Sequence, residues 1–313
     1  MRAVTIVDGG LVVAERPDPA PAAGEVLVAV RAAGLNNADL IQVRGLYPAP
    51  PGSPPDIPGL ELAGEVVSTG AGASRFGVGD RVMAVVGGGG QAELATVHER
   101  AAMPVPDGLD WVQAGAIPEA YTTAHDALFT QCGLSVGERV LVHGGAGGVG
   151  TAAVHLAAAA GARVTATVRT ARLRPAVAEL GATAVAPEDF AAHGPFDVVL
   201  ELVGGPNMES NLQALATGGR IVVIGIGAGA RADVNLGLLM GKRARISGST
   251  LRARPLEGKA AAARAVEAHV LPLFGGGRHR VPIAAVYPLA EAPAAYERFA
   301  AGAKLGKIVL ATP

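Results

Sequence analysis

The chain carries one cysteine, Cys132, in 313 residues. That excludes an internal disulfide, a cysteine-rich structural zinc knot and an iron–sulfur cluster held by this chain alone. Neither sign of charge is in surplus: Lys+Arg 26 stand against Asp+Glu 27, a net charge of −1 at pH 7. Proteins that neutralise many phosphates carry a basic excess, which argues against nucleic acid as the main partner. No apolar run reaches signal-peptide or membrane-spanning length. Asp8 interrupts the start, while His143, His155, Arg163 and a run of glycines interrupt residues 140–168. The expectation is a soluble cytoplasmic protein without a membrane partner.

Half of the chain is hydrophobic, enough to build a real core. Its length suits about two domains. Gly 44 and Pro 22 together make about a fifth of the residues. That suits short strands, tight turns and backbone that must approach something closely.

The first hundred residues read as strands (24–31, 61–68, 79–86, 91–97) between Gly/Pro/Asp clusters. Residues 48–59 hold six prolines and are expected to form a long surface loop, because proline cannot donate to a ladder. Together these predict a mainly antiparallel, barrel-like domain. From about residue 111 the rhythm changes. Helical character over 111–132, broken at Pro118, leads into strand 138–143, helix 148–160, strand 163–168, helix 170–180 and strand 196–202. Helix 207–216 and strands 219–225 and 244–249 follow, then helical 257–274 and a strand–helix–strand tail. Alternation of apolar, β-branched strands with helices indicates a parallel sheet buried on both faces. The fold class is α/β.

Gly145-Ala146-Gly147-Gly148-Val149-Gly150 matches G-x-G-x-x-G directly after a hydrophobic strand and at the opening of a helix. The first glycine permits the tight turn, the second lets backbone approach a pyrophosphate, and the third lets helix pack on strand. The helix N-terminus then offers free N–H groups to the anion. An NAD-selective site places a carboxylate about twenty residues on. Here Arg169 and Arg172 stand in that region, and no Asp or Glu lies between 151 and 178. A guanidinium forks onto a 2′-phosphate that a carboxylate would repel, so the expected cofactor is NADP(H).

The stretches GLNNADLIQVRGLYP (34–48), VLVHGGAGGVGTAAVHLA (140–157) and GSTLRARPLEGKA (248–260), with PGLELAGEV (58–66) and GKIVL (306–310), carry a resemblance over nearly the whole chain. The sequence resembles the zinc-free quinone oxidoreductases, the zeta-crystallin-like branch of the medium-chain dehydrogenase/reductase superfamily. The resemblance implies a GroES-like mainly-β barrel domain over 1–120, completed by 268–313, and a Rossmann doubly wound domain over 121–267. It implies a homodimer formed by edge-strand pairing, with strand 219–225 or 244–249 as the edge.

Zinc-dependent relatives place a cysteine ligand where this chain has Asn36 and a histidine ligand where it has Leu60. An amide and an aliphatic side chain are poor replacements for thiolate and imidazole, so no metal is expected. Without a Lewis acid, the acceptor must be electron-poor: a quinone or a conjugated enone. By resemblance Asn36 hydrogen-bonds the acceptor oxygen or orders water, and Tyr47 contacts the acceptor or delivers a proton. Thr123 and Gly225 are implied near the nicotinamide, and Lys307 near the cofactor phosphates. Asp39 and Arg44 are expected to pair, and Cys132 to be buried packing. The alternatives are an enoyl-thioester reductase and a low-turnover NADPH-binding protein.

Overall fold

The computed structural model describes residues 1–275 and 279–312. The chain divides into two compact units: Met1–Thr122 with Leu251–Gly302 and Lys307–Pro313, and Thr123–Thr250 with Ala303–Gly306.

Unit 1 opens with the hairpin β1 (Arg2–Val7) and β2 (Gly10–Glu15), then β3 (Glu25–Gly34), α1 (Asn37–Val43), β4 (Glu61–Thr69) and β5 (Arg81–Val85). β6 (Leu94–His98), β7 (Ala102–Pro104), α2 (Trp111–Ala114) and α3 (Pro118–His125) follow. Alternation along β3 and β4 turns Val26, Val28, Leu62 and Val66 into a core that Val82, Ala84 and Val97 complete. Residues 48–59 form no helix or strand, as their prolines dictate. Pro118 opens α3 instead of breaking it, since the first turn of a helix has no use for the missing N–H.

Unit 2 contains β8 (Arg139–Val142), α4 (Gly148–Ala159), β9 (Arg163–Thr167), α5 (Arg174–Glu179), β10 (Ala182–Val185) and β11 (Phe196–Glu201). α6 (Met208–Ala214), β12 (Leu215–Val223), α7 (Leu236–Lys242) and β13 (Arg245–Gly248) complete it. The strands pair in parallel in the order β10-β9-β8-β11-β12-β13. That is the doubly wound arrangement, whose ligands bind beyond the carboxyl ends of the strands where the order reverses. β8, the first strand in sequence, sits at that reversal. β12 is interior and β13 is an edge, so of the two strands expected to pair between protomers only 244–249 has an open side.

The chain then returns to unit 1 through α8 (Leu256–His269), α9 (Leu271–Phe274), β14 (Ile283–Pro288), α10 (Ala292–Ala300) and β15 (Lys307–Ala311). β15 lies between β14 and β3. The resemblance implies a Rossmann domain up to residue 267, whereas by its contacts α8 groups with unit 1. Ala260, Ala263 and Val266 are buried there, and Arg264 donates to the Ala102 carbonyl on β7 at 2.6 Å. Helical periodicity marks such a buried face without saying which sheet covers it.

Candidate functional site

In unit 2 the turn between β8 and α4 is built as the motif requires. Gly144 has φ +68, and Gly145 N–H donates to the Thr167 carbonyl at 2.9 Å. A Cβ on Gly145 would lie 2.7 Å from the Ala166 Cβ, and one on Gly150 would lie 2.2 Å from the Gly144 carbonyl oxygen. Those two glycines are demanded by the fold. Gly147 differs: a Cβ there would stand 3.5 Å from the Gly144 oxygen, an ordinary contact. Its lack of side chain leaves room for a ligand that the fold itself does not need. Gly147 is the N-cap of α4, and no side chain among the described residues caps that helix. The first-turn N–H groups of Gly148 and Val149 thus sit at an uncapped helix start, with Ala146 on its approach. The Ala146 carbonyl accepts from Gly306 N–H at 2.8 Å, so the segment 303–306 is tied to the turn.

Three arginines follow β9. Arg169 is exposed and makes no hydrogen bond or ion pair among the described residues. Arg172 donates to the Ala303 carbonyl at 3.0 Å. Arg174, which sequence reasoning missed, donates through Nε to the Val168 carbonyl at 3.1 Å. Beneath the turn lies a buried polar chain: His143 bonds the Thr167 hydroxyl and the Asn211 Oδ1, and Asn211 donates to Glu201. Burial pushes the His143 pKa down despite the Glu201 carboxylate. Glu201 also accepts the N–H groups of Val203 and Gly204, fixing the chain after β11.

Thr123 is buried in α3. A Cβ on Gly225 would lie 2.2 Å from the Leu202 carbonyl oxygen, so close backbone approach explains that glycine without a ligand.

In unit 1 the structure brings Asn36, Glu61 and Lys307 together. Lys307 is 1 % exposed, and its ammonium donates to Glu61 Oε1, to Asn36 Oδ1 at 2.6 Å and to the Leu35 carbonyl at 2.9 Å. Two expectations change here. All three ammonium protons of Lys307 are engaged within unit 1, so it presents none to a phosphate. The two amide protons of Asn36 are likewise given to Glu61 Oε1 at 2.9 Å and the Gly34 carbonyl at 3.3 Å, leaving none for an acceptor oxygen. Glu61 Oε2 takes the Glu119 N–H at 2.8 Å.

Asp39 does not pair with Arg44. Its carboxyl accepts the N–H groups of Asn36 at 2.8 Å and Gly59 at 3.1 Å, and burial lifts its pKa to about 7. Tyr47 is half-buried, and its ring lies 4.8 Å from the Arg252 guanidinium. Arg252, 3 % exposed, donates to the Tyr47 carbonyl, the Gly87 carbonyl and Gln42 Oε1 at 2.8, 2.8 and 2.6 Å. Sequence reasoning missed this clamp; its signal was an arginine inside the GSTLRARPLEGKA block. Cys132 is buried, which pushes its thiol up to about 11, so it stays protonated and inert.

No group of three or more His, Cys, Asp or Glu among the described residues is placed to hold a metal. No helix among them is long and apolar enough to cross a membrane.

Two family models match: the alcohol dehydrogenase GroES-like domain over residues 22–107 and the zinc-binding dehydrogenase over 148–267. A quinone oxidoreductase of Rattus norvegicus is 32 % identical over 304 residues, covering 93 % of this chain and 90 % of that protein. The chain belongs to the medium-chain dehydrogenase/reductase superfamily, in its quinone-oxidoreductase-like branch. It is therefore an oxidoreductase of a family that binds a nicotinamide cofactor. An alcohol dehydrogenase superfamily protein from Novosphingobium aromaticivorans has the same fold, with a TM-score of 0.87, 30 % identity and full coverage of both chains. A polyketide synthase of Streptomyces halstedii is 40 % identical over 64 % of this chain, which spans only 4 % of that much longer protein.

Proposed function

We propose that the protein is an NADPH-dependent reductase that passes hydride to quinones or conjugated enones without a metal. The observation that carries this reading is the glycine turn with no side-chain cap, followed by Arg169, which is unpaired among the described residues, with no Asp or Glu between 151 and 178. Gly145–Val149 would hold the pyrophosphate, and Arg169 and Arg172 the 2′-phosphate. Bound there, the reduced nicotinamide supplies the hydride. Thr123 is proposed to lie near that ring.

On the acceptor side, Asn36 acts as a positioning residue. It joins Glu61 to Lys307 and starts α1. The Arg252 clamp holds Tyr47, which contacts the acceptor or returns a proton to its oxygen. Asn36 and Leu60 stand where zinc-dependent relatives have ligands, which favours metal-free chemistry.

Steady-state oxidation of NADPH and NADH against a quinone panel tests the reading. NADPH is expected to show the lower KM, and Arg169→Ala to raise it roughly tenfold or more, the weight of a charge-assisted bond. An NADH preference overturns the assignment. The second reading, an enoyl-thioester reductase, is favoured by the similarity to the polyketide synthase; turnover of enoyl-thioesters above quinones would establish it. A shift in NADPH fluorescence with no turnover on any acceptor would instead identify a binding protein. We also propose a homodimer through the open edge of β13.

A further inference from the structure

Beside β5 and β7, unit 1 contains a small cavity of about 10 Å³ lined by Val85, Met103, Thr122, Leu251, Lys259 and Ala263. Its walls are apolar except at two points. The Thr122 hydroxyl is buried and has no hydrogen-bond partner among the described residues. A buried polar group without a partner costs about 1–3 kcal/mol, so it is rarely left that way without a ligand, ion or water in view. The second point is Lys259, a half-buried residue whose ammonium has no acceptor among the described residues. The carboxylates of its own helix are engaged elsewhere: Glu257 pairs with Arg100, and Glu267 with Arg75 and Arg264. The charged group that faces Lys259 is Arg252, another cation; burial and that neighbour both lower the Lys259 pKa.

We infer that Thr122 and Lys259 form a subsite for a carboxylate carried by the acceptor. The space admits about one oxygen atom, so it takes the tip of a ligand and not a ring or a phosphate. Thr122 donates its proton to that oxygen, and the ammonium supplies the opposite charge. The subsite lies near Tyr47, the residue proposed to meet the acceptor: Lys259 faces Arg252, whose guanidinium is 4.8 Å from the Tyr47 ring, and the cavity also borders the Glu61 cluster. Val85 stands opposite Glu61 in the β4–β5 register. Thr122 is one turn along α3 from Glu119, whose N–H reaches Glu61. One helical turn is about 5.4 Å, within the span of a small conjugated acid. Conjugated acceptors bearing a carboxylate are therefore the preferred class within the proposed function, on which this inference rests.

The test has two arms. In the first, Lys259 labelling by acetic anhydride is followed by peptide mass spectrometry on the whole protein with crotonate or methyl crotonate. Crotonate is expected to slow labelling and the ester not to; equal rates with both overturn the subsite and leave a water-filled void. In the second, NADPH oxidation is compared for a quinone bearing a carboxylate arm and its methyl ester. The acid-to-ester ratio of kcat/KM is expected to exceed about tenfold. It should collapse towards unity in Lys259→Met and fall several-fold in Thr122→Val, and a ratio unchanged in Lys259→Met overturns the inference. Shielding by crotonate with no turnover of any acceptor would leave the subsite standing and remove the reductase reading instead.

Discussion

At 1 % exposure, Lys307 keeps its ammonium where only a carboxylate in contact makes the charge tolerable, and Glu61 is that carboxylate. Removing one member of such a pair leaves an uncompensated buried ion. Lys307→Met is expected to cost about 3–5 kcal/mol in urea unfolding, with part recovered in the Lys307→Met/Glu61→Gln double variant. A loss under 1 kcal/mol would show that water reaches the pair. Asp39 gives a pH signature. Burial holds its folded pKa near 7 against the ordinary 3.8, with Lys307 opposing and Glu61 adding to the rise. Between these values the folded protein keeps a proton that the unfolded chain has lost. The carboxyl therefore stabilises at low pH, and that contribution is lost as pH rises towards 7. Measured against Asp39→Asn, the wild-type denaturation midpoint should fall across this window; parallel profiles would refute it. At this scale the sequence showed which residues were polar and in which block. It could not show that Lys307 spends its donors on Glu61, Asn36 and the Leu35 carbonyl, and Asn36 its own on Glu61 and the Gly34 carbonyl, because Lys307 lies 246 residues from Glu61.

The glycine turn makes its own contrast at the scale of an element. Gly150→Ala drives a methyl into the Gly144 carbonyl and should cost about 1–3 kcal/mol of stability. Gly147→Ala meets only an ordinary contact, so thermal unfolding should be nearly unchanged while NADPH affinity, read by fluorescence titration, falls sharply. If both variants lose stability alike, Gly147 is structural. The strand–turn–helix of this element was legible because its chemistry is local: an apolar run, glycines at fixed offsets and a helix start. The strand β10 and the helix α7 were not, since four residues (Ala182–Val185) and seven residues (Leu236–Lys242) hold too little pattern to rise above their neighbours.

For the whole molecule, β13 leaves an unpaired strand edge in unit 2, and Leu236, Met240 and Ile246 of that unit are exposed at 66, 76 and 36 %. Open edges invite pairing with another chain. Light scattering is expected to give a dimer mass, and Ile246→Lys to shift it towards the monomer; a wild-type monomer removes the proposal.

The sequence by itself determined the two-domain α/β class, the glycine turn between strand and helix, and the family, because these rest on local periodicity, glycine spacing and residue identity. The tertiary structure alone decided that α8 joins unit 1, that β13 and not β12 is the edge, and that Lys307 is a buried partner of Glu61. It also decided that Thr122 and Lys259 share one cavity. Each of these depends on which distant segment covers a given face, and burial and charge pairing are set by that covering, not by neighbours along the chain.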